Sequence, residues 1–252
     1  MKETVINVLR NYHTQSVRFT YTGVTGARFN IHPNDFITVA LNIEQGNIDV
    51  QEGGVEAGRA RYFLRDEGNK KANTFYIGQN NASQSIFESL FVHESVHAIY
   101  DLKGITMPWL DNEAIAYIAQ GFYLLSSGAF GDLDKNAYFG LEVAGQYQTP
   151  GESAAVNKLR QSLLEDPLYK KYIKKVFVGD GCVPPQNQPN QTQPNNENNQ
   201  RIHIVKPGDW LSKIAVTYYG DAMKYKVIHQ ANLQIIGPNP DIIKPGQRLI
   251  IP

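Results

Sequence analysis

From Pro184 to Gln200 the chain reads PPQNQPNQTQPNNENNQ, without one aliphatic or aromatic residue. A segment that cannot bury apolar area cannot offset its ordering entropy. It therefore reads as a disordered or extended Asn/Gln/Pro linker, stiffened locally by its prolines. This one stretch forbids a single continuous core. It divides the 252 residues into a domain at 1–181, a linker at 182–200 and a small domain at 201–252.

Charge follows the same division. The formal net charge is zero, yet the chain through Cys182 carries 17 Lys and Arg against 20 Asp and Glu, whereas Arg201 onward carries 7 against 3. The mildly basic end favours an anionic surface or is ordinary solvated lysine. Neither part suggests a nucleic-acid partner. No run approaches 18 apolar residues, so no membrane span is expected. The start, Met1-Lys2-Glu3-Thr4-Val5, resembles an amphipathic helix rather than a signal peptide. The expected location is the cytoplasm, or outside by a signal-independent route such as injection or lysis. Cys182 is the single cysteine, so no internal disulfide can form and a metal site must draw mainly on other ligands.

Periodicity predicts a helix over Val5–Arg10, a strand over Val17–Tyr21, and strands over Arg59–Arg65 and Asn73–Ile77 joined by a polar turn. Helices are predicted for Ser85 to about Leu102, Asp111–Leu125, near Leu141, and Ser153–Val178 with a break at Pro167. Strands followed by helices indicate an α+β domain. The C-terminal piece reads β-α-α-β, with strands Ile202–Val205 and Arg248–Ile251 around helices Asp209–Tyr218 and Ala222–Gln230.

His93-Glu94-Ser95-Val96-His97 fits His-Glu-x-x-His. Two histidines four apart lie on one helix face, so both rings can reach one ion, and the glutamate can take a proton from water held there. Ser85-Ile86-Phe87-Glu88 has the form of a capping box that starts this helix. Apolar residues on nearly all sides predict a buried helix, and buried His and Glu need partners. Zn2+ supplies one reason for them; a pair of hydrogen-bonded core histidines supplies another. A catalytic zinc takes three protein ligands. Glu113, 16 residues after His97, is the leading third ligand, with Asp111, His13 and His32 as alternatives. Asp111 can instead be an N-cap.

Residues 85–125 resemble the zincin metallopeptidases of the glutamate-ligand type, the gluzincins, whose pattern is His-Glu-x-x-His on one helix and Asn-Glu on the next. Here these are His93/Glu94/His97 and Asn112/Glu113. The longer metzincin pattern is absent, since Ile99-Tyr100-Asp101 and then Lys103 follow. The resemblance implies a zincin-like fold, His93, His97 and Glu113 as zinc ligands, and Glu94 as general base. By analogy, Asn73–Ile77 is expected as the edge strand that pairs with a protein or peptide substrate. An oxyanion stabiliser is also expected. Tyr117, one turn after Glu113, is the leading candidate, with Tyr100 and Tyr123 behind it.

Residues 202–252 resemble a LysM domain along their whole length. The carrying segments are His203–Ala215, Tyr218-Tyr219-Gly220-Asp221, Ile228 through Ala231-Asn232, and Asn239–Pro252. Gly208 permits a turn, Asp209 can cap the first helix, and Leu211, Ile214 and Ala215 form its buried stripe. The resemblance implies binding of peptidoglycan or another N-acetylglucosamine glycan between Gly208-Asp209-Trp210-Leu211 and Asn239-Pro240-Asp241-Ile242. Trp210 either stacks on a sugar or belongs to the core. The Tyr-Tyr-Gly-Asp and Asn-Pro-Asp segments also resemble LysM modules of phage-tail-like assemblies.

Two functions follow. One is a zinc peptidase, a hydrolase targeted by LysM to peptidoglycan or a particle, and a candidate bacterial or phage effector. The other is a non-catalytic component of a phage-tail-like or secretion assembly that uses LysM as an anchor. Glu94 favours the first, because a scaffold has no chemical need for that carboxylate.

Overall fold

The computed structural model describes residues 1–147, 154–182 and 201–252, apart from Pro207, Gly220, Pro238, Pro245 and Pro252. The chain divides into two compact units, Met1–Gln188 and Pro189–Pro252. The stretch from Pro184 to Gln200 expected as a linker lies outside the described residues. Cys182, placed in that linker by the sequence, is instead buried in the first unit.

The first unit opens with helices α1 (Lys2–Arg10) and α2 (Tyr12–Gln15), then the antiparallel hairpin β1 (Phe19–Thr22) and β2 (Arg28–Ile31). Helix α3 (Pro33–Gln45) follows, with Pro33 at its first turn and Gly46 closing it at φ 79°, where glycine carries no Cβ penalty. Strands β3 (Asp49–Glu52), β4 (Ala60–Phe63) and β5 (Thr74–Ile77) form one sheet in the order β3-β5-β4. Strand β5 pairs parallel with β3 and antiparallel with β4. The expectation that β5 is an edge strand fails. It is the central strand, its four residues are all buried, and the edges are β3 and β4. The short polar strand β3, DVQE, has no apolar alternation by which the sequence could announce it.

Helices α4 (Gln84–Leu102) and α5 (Trp109–Ser127) form the centre of this unit. Every residue of α4 from Phe91 to Asp101 is buried, as a helix apolar on all sides requires. Its start differs from expectation. Ser83 is the N-cap, without a side-chain cap bond, so the Ser85–Glu88 capping box does not form. Glu88 instead accepts hydrogen bonds from Gln84 Nε2 and from the Tyr123 hydroxyl.

Strand β6 (Thr106–Pro108) lies between these helices. Helices α6 (Lys135–Gly145) and α7 (Ala154–Glu165) then pack on α5. A Cβ on Gly121 would collide with the Gly140 carbonyl, and one on Gly140 with the Tyr117 carbonyl, so the α5–α6 crossing requires glycine on both sides. The helix expected over Ser153–Val178 ends at Glu165. Turns follow, and then strand β7 (Val176–Val178) pairs antiparallel with β6. Proline at 167 blocks continuation of the helix, and the pairing with β6, 68 or more residues earlier in the chain, leaves no local sequence signal.

The second unit contains β8 (Arg201–Ile204), α8 (Leu211–Tyr219), a 3-10 turn at Ala222–Lys224, α9 (Tyr225–Ala231), α10 (Leu233–Ile236) and β9 (Arg248–Ile251). Strands β8 and β9 are antiparallel. Val205, Leu211, Ile214, Ala215, Ile228, Ile236, Leu249 and Ile251 form its core. The buried Asn232 staples α9 to β9: its amide donates to the carbonyls of Ile228 and Ile250, and its oxygen accepts from the Ile250 N–H, each at 2.7 Å. The described residues of the whole chain include no helix long and apolar enough to cross a membrane.

Candidate functional site

Helix α4 turns His93, Glu94 and His97 into the interior, and α5 brings Glu113 against them. Glu113 Oε2 lies 3.4 Å from His93 Nε2 and 3.8 Å from His97 Nε2. One ligand atom from each of these three residues falls within 4.8 Å of the others. Both histidines present Nε2. The His97 Nδ1 makes a short hydrogen bond to Asn112 Oδ1. An amide oxygen only accepts, so Nδ1 carries the proton and Nε2 keeps its lone pair for a ligand role.

Glu113 Oε2 and His93 Nδ1 are buried without a hydrogen-bond partner. That argues against a pair of satisfied core histidines, because an unpaired buried carboxylate oxygen is costly. Two imidazole nitrogens and one carboxylate oxygen around a common point suit zinc. Burial alone would raise the Glu113 pKa, but His97 and His93 outweigh it and hold the carboxyl below its ordinary value. Burial opposes charge on His93, yet Glu113 and Glu94 raise its pKa above the ordinary histidine value. Glu113 thus supplies the negative charge of the donor set, and a cation at the common point would displace the proton that the same carboxylates favour on His93.

Glu94 accepts a hydrogen bond from the Tyr62 N–H, Oε2 to N 2.7 Å, which fixes the carboxylate against edge strand β4. Burial lifts its pKa above the usual carboxylate value, with His97 and His93 pulling the other way. A carboxylate so raised is better matched to accepting a proton near neutral pH.

The other third-ligand candidates are engaged elsewhere. Asp111 is not an N-cap, since α5 starts two residues earlier. Its Oδ1 accepts from the Tyr21 hydroxyl at 2.8 Å, and both oxygens lie 3.1 Å from the Val24 N–H. His13 Nδ1 bonds to Ser126 Oγ. His32 is exposed at the start of α3, its backbone N–H donating to Asp35, and it does not join the cluster. Among the tyrosines, Tyr117 lies against the cluster, its ring 4.4 Å from that of His93, but its hydroxyl is already bonded to Tyr169 at 2.6 Å. Tyr123 donates to Glu88, and Tyr100 packs on Phe29.

The spacing argument missed several residues. Trp109 packs its ring 5.8 Å from that of His97. Tyr172 donates to Glu113 Oε1 at 3.0 Å, and Tyr169 meets Tyr117. Both tyrosines come from the turns after α7, which periodicity read as helix, and no motif marks them. Tyr62 anchors β4 behind the site: its hydroxyl donates to Asp101 at 2.8 Å and lies 3.1 Å from Cys182 Sγ. Burial pushes the Cys182 thiol pKa up, so this cysteine is a packed thiol rather than a thiolate ligand.

In the second unit, Trp210 is 59% exposed, with Lys213 Nζ 5.4 Å from its ring centroid, so it is not core. Gly208 is exposed at φ 83°. Asp209 does not cap α8. Its carboxylate turns back to the Lys206 N–H at 2.8 Å and to His203 Nε2 at 2.9 Å, closing the turn that presents Trp210. Leu211 is buried in the core and can offer a ligand only its backbone. In the second loop Asn239 Oδ1 accepts from the Asp241 N–H, Pro240 is half-buried, and Asp241 and Ile242 are exposed.

A Deinococcus radiodurans protein described as uncharacterized is similar to this chain, 58% identical over 52 residues, 20% of this chain and 19% of that protein. The chain therefore spans about a fifth of the length of this relative. No solved structure matches. The family model described as LysM domain matches residues 203–252. That match agrees with the β8/β9 pair closing over α8 and α9, and a LysM domain implies a peptidoglycan or related glycan partner. The chain is thus a mixed α+β protein whose residues 203–252 are a LysM domain.

Proposed function

We propose that the first unit is a zinc-dependent peptidase and that the LysM domain targets it to peptidoglycan or a related assembly. The observation that carries this reading is the convergence of His93 Nε2, His97 Nε2 and the unpartnered Glu113 Oε2, with Glu94 beside them on the same buried helix. His93, His97 and Glu113 would hold the ion. Zinc, when bound, supplies Lewis-acid activation of water and polarisation of a carbonyl. Glu94 accepts the proton and can return it to the leaving amine. Its bond from Tyr62 N–H keeps the carboxylate at one orientation through both transfers. Edge strand β4, not β5, is the strand that can offer outward backbone groups to an extended peptide, apart from the Tyr62 N–H that Glu94 holds. Tyr117, whose ring packs on that of His93, can stabilise an oxyanion by exchanging its hydroxyl bond to Tyr169; the Tyr172 hydroxyl is held by Glu113.

Metal analysis of the purified full chain, paired with a proteomic cleavage screen of wild type against Glu94→Gln, tests the reading. About one zinc per chain in both proteins, with cleavage by the wild type only, is expected. A folded, unchelated chain without metal would remove the site. A chain that holds zinc but cleaves nothing would favour a non-catalytic scaffold anchored through LysM.

A further inference from the structure

We propose that Tyr172 is a positioning residue for the metal centre: by holding Glu113 Oε1 it leaves Oε2 as the single oxygen aimed at the two histidines. This rests on the zinc reading above and adds to it a residue that no spacing rule connects with the centre.

Glu113 has two carboxylate oxygens in different situations. Oε1 accepts the Tyr172 hydroxyl at 3.0 Å. Oε2 is buried without a hydrogen-bond partner and is the oxygen near both histidine Nε2 atoms. A carboxylate free at both oxygens can rotate or present either one. Here the phenol removes that freedom before any ion arrives, so less ordering entropy is lost on binding. Hydrogen bonds of this kind to ligating groups typically contribute 10–100-fold in metal affinity.

Tyr172 can do this because its ring is held. Trp109 packs on it with centroids 4.9 Å apart, and Tyr169 at 5.7 Å. The Trp109 ring in turn packs on Phe177 of β7, and its backbone N–H donates to the Lys175 carbonyl at 3.0 Å. Buried Ile173 pins the turn between them. The segment Pro167–Lys175 is thus a strap fixed at its far end by the β6–β7 pair, with two tyrosines inward. Tyr169 gives an internal comparison: it sits on the same strap but bonds Tyr117, not a ligand.

The test is the zinc dissociation constant of the full chain, measured by competition with a chelator of known affinity, for wild type, Tyr172→Phe and Tyr169→Phe. Phenylalanine keeps the ring packing and removes only the hydroxyl. Tyr172→Phe is expected to bind zinc about 10–100-fold more weakly, with the melting temperature of the metal-free chain little changed. Tyr169→Phe is expected to keep wild-type affinity. Equal affinity of Tyr172→Phe and wild type would overturn the role of Tyr172 while leaving the metal centre standing. An equal loss in both variants would overturn it too, because general strap packing would then be the cause. A wild type that binds no zinc would instead remove the metal centre itself.

Discussion

The two candidate functional regions of this chain treat solvent in opposite ways. Around the proposed metal centre, His93 is 5% and Glu113 3% exposed, whereas in the LysM domain Trp210 is 59% and Ile242 53% exposed. Burying ionisable groups is costly unless something compensates them, so the first arrangement stores a demand for a cation. Leaving apolar rings and branched chains in water costs little singly, so the second offers contact surface at small expense. On the function proposed above, the contrast separates chemistry from recognition: strong local electrostatics among buried side chains, and shape-based contact at an open surface.

The largest effect expected is in turnover. Glu94→Gln should retain zinc and lower the rate by about 10²–10⁴-fold, while sedimentation with peptidoglycan stays at the wild-type level. Comparable losses in both assays would break the separation of roles. Zinc comes next. At about 100 times its dissociation constant it should stabilise the first unit by about 2.7 kcal/mol, a rise of roughly 5–10 °C in melting temperature. Differential scanning calorimetry should show no movement of the LysM transition, and a shift in both would deny the independence of the two regions.

Trp210→Ala should weaken glycan sedimentation by about 1 kcal/mol and leave the LysM domain folded by circular dichroism, because an exposed ring contributes little to the core. Unchanged binding would move recognition away from this loop. The smallest effect is in acid. The Lys206 N–H first, and then His203, hold the Asp209 carboxyl below its ordinary value. The folded state therefore binds fewer protons than the unfolded one as pH falls. The stability this contributes is present above the unfolded value, about 3.9, and is lost as pH falls through the lower folded value. Urea unfolding of the LysM domain should weaken slightly on that acid limb in the wild type and not in Asp209→Asn. Equal slopes would show that the turn holds without the charge.

Local patterns were legible where the physics is local. The four-residue spacing of His93 and His97, the apolar surroundings of α4, and the turn, helix and strand order of residues 202–252 all follow from contacts within one or two turns of chain. The failures are equally physical. Strand β3 is polar and exposed, so its pairing with β5 rests on backbone hydrogen bonds that no side-chain pattern reports. Strand β5 is expected at the edge by analogy with zincins alone, and with β3 unannounced no sequence pattern opposes that placement. The inward tyrosines after α7 fit a helical period, and only Pro167 hinted otherwise.

The sequence by itself determined which residue types could meet a cation, and that Glu113 stood at a suitable distance from His97. It also determined the LysM pattern, because that module repeats a short, dense set of turn and core residues. Tertiary structure alone decided that Asp111 is spent on Tyr21 and Val24, that Trp210 faces water, that β4 rather than β5 borders Glu94, and that Tyr172 reaches Glu113 across 59 residues. Those outcomes depend on which long-range contacts win the competition for buried hydrogen-bond partners, and that competition is settled only when the whole core is assembled.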